Sequence, residues 1–204
     1  NNPCRSPHPP MDTTEAADRD RADMQRLSAG DDAALDDLMA RHARPVFQFL
    51  CRMLNNENDA DDLAQETFLR VYRARASFRT GEKFTTWLYT IAANLARNHF
   101  RWRTRHPGVS LEAERDVAGQ SLASTLPANL PLPSHAALEE ERRAAVGAAV
   151  SRLPEDLREA IILCEWQECS VAEAAAILGA TPKAVASRLS RARGLLRERL
   201  KPGL

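Results

Sequence analysis

Lys183, Ser187, Arg188 and Arg191 are polar side chains recurring at helical spacing near the carboxyl end. On a helix they share one exposed face, offering an ammonium, a hydroxyl and two guanidinium forks. Such a set binds phosphates as point charges and base edges as bidentate donors when the helix lies in a major groove. The elements that must hold them are spelled by Ser170 to Arg193. Ser170 and Glu173 make a capping box, and Ala172, Ala175, Ala176 and Leu178 supply small or apolar packing to a first short helix. Gly179 ends it, Thr181 caps the next, and Pro182 takes a first position where its missing amide costs nothing. Val185, Leu189, Ala192 and Leu196 then form a buried stripe, which completes a helix-turn-helix with a basic second helix. Two packed amphipathic helices with a merely solvated basic face are the plainer alternative. The agreement of caps, glycine, proline and one-sided charge favours DNA.

Two further sets carry opposite charge. Asp62, Gln65 and Glu66 share one helix face and can accept from arginines across an interface. Acids placed only for the helix dipole explain Asp59 and Asp61, but that placement does not need Gln65 or Glu66. From Lys83 to Arg105 the chain holds Lys83, Arg97, Arg101, Arg103 and Arg105 with no acid. The formal net charge is zero, which would argue against a nucleic-acid partner were the charge evenly spread. It is segregated instead: Asp12 to Asp37 and Glu57 to Glu66 are acidic, and the last helix is basic again. This implies two DNA-facing surfaces and an acidic surface for something else.

Strand signals are nearly absent, so the fold class is all-α. With 204 residues, 44% hydrophobic and 5% aromatic, two small cores fit the composition better than one. Leu35, Leu38 and Met39 begin an apolar stripe resumed by Val46, Phe49, Leu50, Met53 and Leu54, with Pro45 expected to kink or split that helix. After a turn at Asn55 to Asn58, Asn58 is expected to cap a second helix buried through Ala60, Leu63, Ala64, Phe68, Val71 and Tyr72. A third helix starts near Thr85. Its apolar residues Trp87, Leu88, Ile91, Ala92 and Leu95 leave Asn94, Arg97, Asn98 and Arg101 on or beside an exposed polar side. Between His106 and His135 the pattern dissolves into prolines, glycines and serines. The organisation expected is an extension over 1–30, partly without regular structure, and a helical domain over 31–106. A flexible linker over 107–135 leads to a four-helix module with the helix-turn-helix over 136–204.

Cys4, Cys51, Cys164 and Cys169 show no CxxC or zinc spacing, even counting Glu165, Glu168 and His135 as partners, so no metal and no cofactor are expected. Cys51 lies in the apolar run Phe47 to Leu54 and reads as core. The absence of a signal peptide or spanning segment implies a reducing cytoplasm and no direct membrane insertion. Asn1 to Pro10 is proline-rich and is set aside, with Met11 expected as the natural start.

Three strings together resemble the extracytoplasmic-function sigma factors, the small two-domain specificity subunits of bacterial RNA polymerase. They are Asp59-Ala-Asp-Asp-Leu-Ala-Gln-Glu-Thr-Phe-Leu-Arg-Val-Tyr-Arg73, then Phe84-Thr-Thr-Trp-Leu-Tyr-Thr-Ile-Ala-Ala-Asn94, then Leu153-Pro-Glu-Asp-Leu-Arg158 leading into the helix-turn-helix. The resemblance implies that Asp62, Gln65 and Glu66 meet the clamp helices of the polymerase largest subunit. It implies a minus-ten reader built from Phe78, Lys83 and Phe84 in a loop and Asn94, Arg97, Asn98 and Arg101 on the following helix. Opening a duplex costs a few kcal/mol per step, so such a reader needs a base pocket and cationic contacts. Phe78 serves equally as a core anchor, the core reading is the favoured one for Phe84, and Trp87 reads as core. Lys183, Ser187, Arg188 and Arg191 become the minus-thirty-five reader, with Ala186 standing where many relatives carry Lys or Arg. By the same resemblance the linker, with Glu112, Glu114 and Asp116, threads the polymerase cleft toward the RNA exit path, and an anti-sigma factor is an implied partner.

No catalytic constellation is legible, so no enzyme is expected. Two other readings stay open: a helix-turn-helix repressor or activator that binds duplex DNA without polymerase, and a partner-switching adaptor that would leave both basic surfaces idle.

Overall fold

The computed structural model describes residues 13–79, 81–106 and 135–200. Asn1 to Pro10 with Cys4, and the linker with Glu112, Glu114 and Asp116, lie outside the described residues. The described residues contain α1 (Thr13–Ser28), α2 (Ala33–Leu54), α3 (Glu57–Arg73), a 3-10 turn (Arg75–Ser77) and α4 (Phe84–Arg105) in the first block. The second block holds α5 (His135–Ser151), α6 (Glu155–Glu165), α7 (Val171–Leu178) and α8 (Pro182–Leu200), with no strand among the described residues.

The helical pattern begins earlier than Asp31, because α1 occupies much of the expected extension. Its charge-rich sequence conceals a short apolar stripe, of which Met24 and Leu27 are fully buried. Acids on the same side meet polar groups of α2: Asp20 Oδ1 lies 3.0 Å from Arg41 Nε and 2.9 Å from His42 Nε2, and Asp23 Oδ2 lies 2.5 Å from Arg41 Nη2. Burial of Asp20 and Asp23 is tolerated because each carboxylate is paired.

Pro45 does not split α2, which runs unbroken from Ala33 to Leu54. An interior proline costs about 3 kcal/mol or more. Complete burial of Val46, Phe49, Leu50 and Met53 just beyond it offsets that cost, at roughly 1.5–3 kcal/mol per large side chain. Met39, by contrast, is exposed. Asn55 closes the helix in the left-handed region at φ 54°, leaving a turn too short for Asn58 to cap the next helix. Asn56 is the cap, its Oδ1 accepting from the Asp59 amide at 3.1 Å, and Asn58 falls inside the first turn of α3.

The two blocks are packed against each other. α4 lies along α7, and α2 touches α5 and α6, so buried residues from both blocks form one continuous cluster instead of two separate cores. Arg158 of α6 donates to Met53 O at 2.6 Å and to Leu153 O at 2.9 Å, fastening the end of α2 to the start of the second block. Arg52 stands over the Trp166 ring, 5.5 Å from its centroid. This contact also changes which face of α7 is covered. Ala174, Ala175, Ile177 and Leu178 are buried, whereas Ala172 and Ala176, expected to pack, are exposed, because α7 is sandwiched between α8 and α4.

Candidate polymerase and nucleic-acid interfaces

The helix-turn-helix has the local design that its residues specify. Ser170 Oγ accepts from the Glu173 amide at 3.2 Å while Glu173 Oε2 accepts from the Ser170 amide at 2.8 Å. Gly179 turns the chain at φ 61°, a conformation that costs an L side chain energy, and Thr181 Oγ1 accepts from the Ala184 amide at 3.2 Å. With Val185, Leu189 and Ala192 buried, α8 presents Lys183, Ser187 and Arg191 to solvent. Arg188 is more enclosed, its Nε 3.6 Å from Asp156 Oδ2, and Arg191 Nη2 is 3.9 Å from the same oxygen. Asp156, within the Leu153–Arg158 string, is thus a surface counter-charge near both arginines. Ser170→Ala should cost about 0.5–2 kcal/mol of stability, since it leaves a first-turn amide of α7 without its acceptor. Urea denaturation followed by circular dichroism checks the value.

On α3, Asp62 and Gln65 are exposed and Glu66 is partly so. Gln65 Nε2 donates to Asp61 Oδ2 at 2.9 Å, and Glu66 Oε1 accepts from Arg70 Nε at 2.7 Å. Leu69, 42% exposed, continues the same stripe one turn on. It went unnoticed in the sequence because an apolar residue at helical spacing reads as core. An exposed leucine amid acids gives this face an apolar centre with a charged margin, the make-up of a protein-binding surface.

α4 divides its expected readers. Asn94, Asn98 and Arg101 are exposed on one stripe. Phe84 is not available to a base: it is 3% exposed and its ring lies 5.2 Å from His42 and 6.2 Å from Phe78. Phe78 is half-buried against Trp87, with centroids 5.3 Å apart. Trp87, assigned to the core from sequence, is also only half-buried and walls an open cleft of about 370 Å³ with Arg70, Arg73, Ala74, Ile91 and Asn94. The cleft combines an aromatic wall, an amide and two guanidinium groups. Arg70 and Arg73 escaped notice because they end the acidic helix and reach the α4 surface only through the fold.

Lys83 and Arg97, expected to face DNA, face the second block instead. Lys83 Nζ donates to Glu173 Oε1 at 2.8 Å, which holds that carboxyl below its usual range. Arg97 Nε lies 3.5 Å from Glu159 Oε1, Nη1 donates to Leu178 O at 3.4 Å, and Nη2 donates to Asn94 Oδ1 at 2.8 Å. Glu159 is 3% exposed, and burial, only partly opposed by Arg97, pushes its carboxyl up to about 7. Nearby, Tyr89 Oη donates to Gln167 Oε1 at 2.5 Å. The cause lies in packing: Lys83 precedes α4 and Arg97 lies on it, and docking of α4 on the second block brings acceptors of α6 and α7 to them. Cys51 and Cys164 are partly buried, and burial pushes the Cys169 thiol up to about 12, leaving it protonated and unreactive.

Two regions of this chain match the family descriptions "Sigma-70 region 2", over residues 38–106, and "Sigma-70, region 4", over residues 136–196. The RNA polymerase sigma-H factor of Pseudomonas aeruginosa is 33% identical over 185 residues, covering 91% of this chain and 95% of the relative. The ECF RNA polymerase sigma-E factor of Escherichia coli is 35% identical over 187 residues, covering 90% and 95%. The solved structure of CnrH, in complex with the cytosolic domain of CnrY, has a TM-score of 0.67 at 27% identity, covering 91% of this chain and 99% of CnrH. That of the sigma factor RpoE with the anti-sigma factor NepR from Bartonella quintana has a TM-score of 0.59 at 27% identity, covering 83% and 98%. The two matched regions and the all-helical fold thus define a transcription factor of the sigma-70 class. The chain belongs to that family, in its extracytoplasmic-function branch. Its function is promoter recognition for RNA polymerase in transcription initiation.

Proposed function

We propose that the first block, residues 13–106, reads and opens the minus-ten element while docking on polymerase, and that the second, residues 136–204, reads the minus-thirty-five element. The observation that carries this division is the placement of exposed Asn94, Asn98 and Arg101 on an acid-free helix and of exposed Lys183, Ser187 and Arg191 on the basic second helix of the helix-turn-helix. Asp62, Gln65 and Glu66, with Leu69 among them, bind the clamp helices of the polymerase largest subunit. The Trp87 cleft receives a base extruded from the opened duplex, whose unstacking cost its aromatic wall offsets. Lys83 and Arg97 join this reader only after the blocks separate. Phe84 supports it from the core. The chain works by binding alone, in the cytoplasm, and catalyses no reaction itself. Among the described residues no helix is long and apolar enough to cross a membrane.

The complex of the sigma factor RpoE with the anti-sigma factor NepR supports an anti-sigma partner here. The packed blocks favour this reading over a free repressor, because the closed chain leaves two of its cations unavailable to duplex DNA. A footprint of the chain alone and with core enzyme, scored with permanganate for unpaired thymines, tests it. Strong protection by the chain alone would favour the repressor.

Within the minus-thirty-five reader, Lys183→Ala should weaken holoenzyme binding on all promoters and lower the salt slope by about 1, as loss of one phosphate contact requires. Arg188→Ala or Arg191→Ala should cost roughly 1–3 kcal/mol on the matched element and less on a scrambled one. Equal losses on both sequences would make these arginines positioning groups only.

A further inference from the structure

At the carboxyl end of α4 an aromatic pair stands in the open among cations. Trp102 is 49% exposed, the most exposed of the large hydrophobic side chains among the described residues. The His106 ring stacks on it at 5.1 Å and 25° between planes. His106 is held there by its own backbone, whose amide donates to Trp102 O at 3.0 Å. The neighbours are Arg101 and Arg105, both exposed, and α4 carries no carboxylate along its length.

Register places this pair in line with the reading face. Asn94, Asn98, Arg101 and Arg105 recur at intervals of three and four residues, and Trp102 follows Asn98 by one helical turn. The helix rises about 1.5 Å per residue, so Trp102 lies about 6 Å beyond Asn98, a distance spanned by roughly two stacked nucleotides. An aromatic core residue would be covered by a neighbouring helix. Here His106 stacks on the indole, which stays 49% exposed among cations. A polyanion with flat, apolar bases matches both properties at once: phosphates pair with the guanidinium groups and a base stacks on the ring.

Building on the assignment of α4 as a DNA reader, we propose that Trp102, backed by His106 and flanked by Arg101 and Arg105, is an additional promoter-DNA contact. It extends the minus-ten reader beyond Asn98 by stacking on a nucleobase. His106 pre-orders the indole, so less side-chain freedom is lost when the base arrives. The backing ring also means that His106→Ala acts through Trp102, and its effect disappears when Trp102 is already alanine.

The test uses holoenzyme reconstituted from the full chain and core polymerase, on a genomic fragment selected by run-off transcription with the same holoenzyme. Trp102→Ala should weaken promoter binding by roughly 5- to 150-fold, the range for losing one base–aromatic stack. Trp102→Phe should restore much of it, and affinity for core polymerase should not change. Single abasic sites scanned through the element identify the partner base, because the site that harms the wild type should add nothing to Trp102→Ala. Asn98→Ala serves as the control for the α4 assignment. If Asn98→Ala weakens binding and Trp102→Ala does not, the aromatic contact is refuted while the reader stands; if neither does, the α4 assignment itself fails. A loss from Trp102→Ala that appears in core-polymerase affinity, or that is additive with every abasic site, would also overturn the proposal. The exposed position of Trp102 keeps the fold out of these results.

Discussion

Glu66→Lys should weaken binding to core polymerase by a hundredfold or more while leaving the fold intact. The side chain lies on the exposed acidic stripe of α3, where it pairs with Arg70 of the same helix at 2.7 Å. That pair is surface-exposed and contributes only about 0–1 kcal/mol to stability, so its loss is nearly silent in denaturation. At an interface with arginines the reversal does two things: it removes a charge-assisted acceptor and puts a cation against a cation. Such juxtaposition costs several kcal/mol, on the order of two decades or more in affinity. Gln65→Ala only removes hydrogen bonds and should be milder. Leu69→Ala should fall between them if its exposed side chain is the apolar centre of the contact. Titration of labelled core enzyme measures all three, and unchanged affinity for Glu66→Lys would remove α3 from the polymerase interface.

Closure of the free chain should weaken as pH rises from 5 to 8. Glu159 is the reason. Burial raises its carboxyl from 4.5 to about 7, so the closed state binds a proton that an open state would release at lower pH. The resulting stabilisation is fully present below the unshifted value and is lost as pH climbs through about 7. A shift of this size corresponds to about 3 kcal/mol, on the order of a hundredfold in the closing equilibrium if opening fully hydrates the group. The charged groups acting on it are Arg97, which opposes the shift, Glu155 and Asp156, which reinforce it, and Arg188, which opposes it. Glu155 is itself raised by burial and acts in the same direction. Glu159→Gln should therefore stay closed across the range and be captured by core polymerase less readily at pH 8. Small-angle scattering of the free chain against pH, for wild type and variant, reads the effect. A pH-independent wild-type envelope would refute it.

The surfaces proposed for promoter binding were legible in the sequence wherever they rest on one helix. Capping chemistry at Ser170, Gly179 and Thr181 and the stripe Val185, Leu189 and Ala192 are local relations of three or four residues, and the structure repeats them. Asp62 and Gln65, and Asn94, Asn98 and Arg101, are exposed as their spacing implied. Phe84 favours the core in the sequence, although an aromatic at a helix start can also serve a base. Its burial against His42 and Phe78 decides between these uses. α1 was missed for a related reason: its charges dominate a composition reading, while Met24 and Leu27 have meaning only opposite α2.

By itself the sequence determined helices, caps, the helix-turn-helix, the segregation of charge and, through its strings, the family. The helices and the helix-turn-helix follow from periodicity and from turn chemistry that acts over one or two helical turns, whereas the family follows from the resemblance of the strings. Only the tertiary structure decided that Lys83 and Arg97 pair with acids of the second block, that α7 buries Ala174 instead of Ala172, and that the buried residues of both blocks join in one core. Those outcomes pair residues some sixty to ninety positions apart. No local pattern encodes such a pairing, since the cation that would hold a phosphate is the same group that holds Glu159 or Glu173. Which partner it takes is set by whichever acidic surface the packed fold brings within reach.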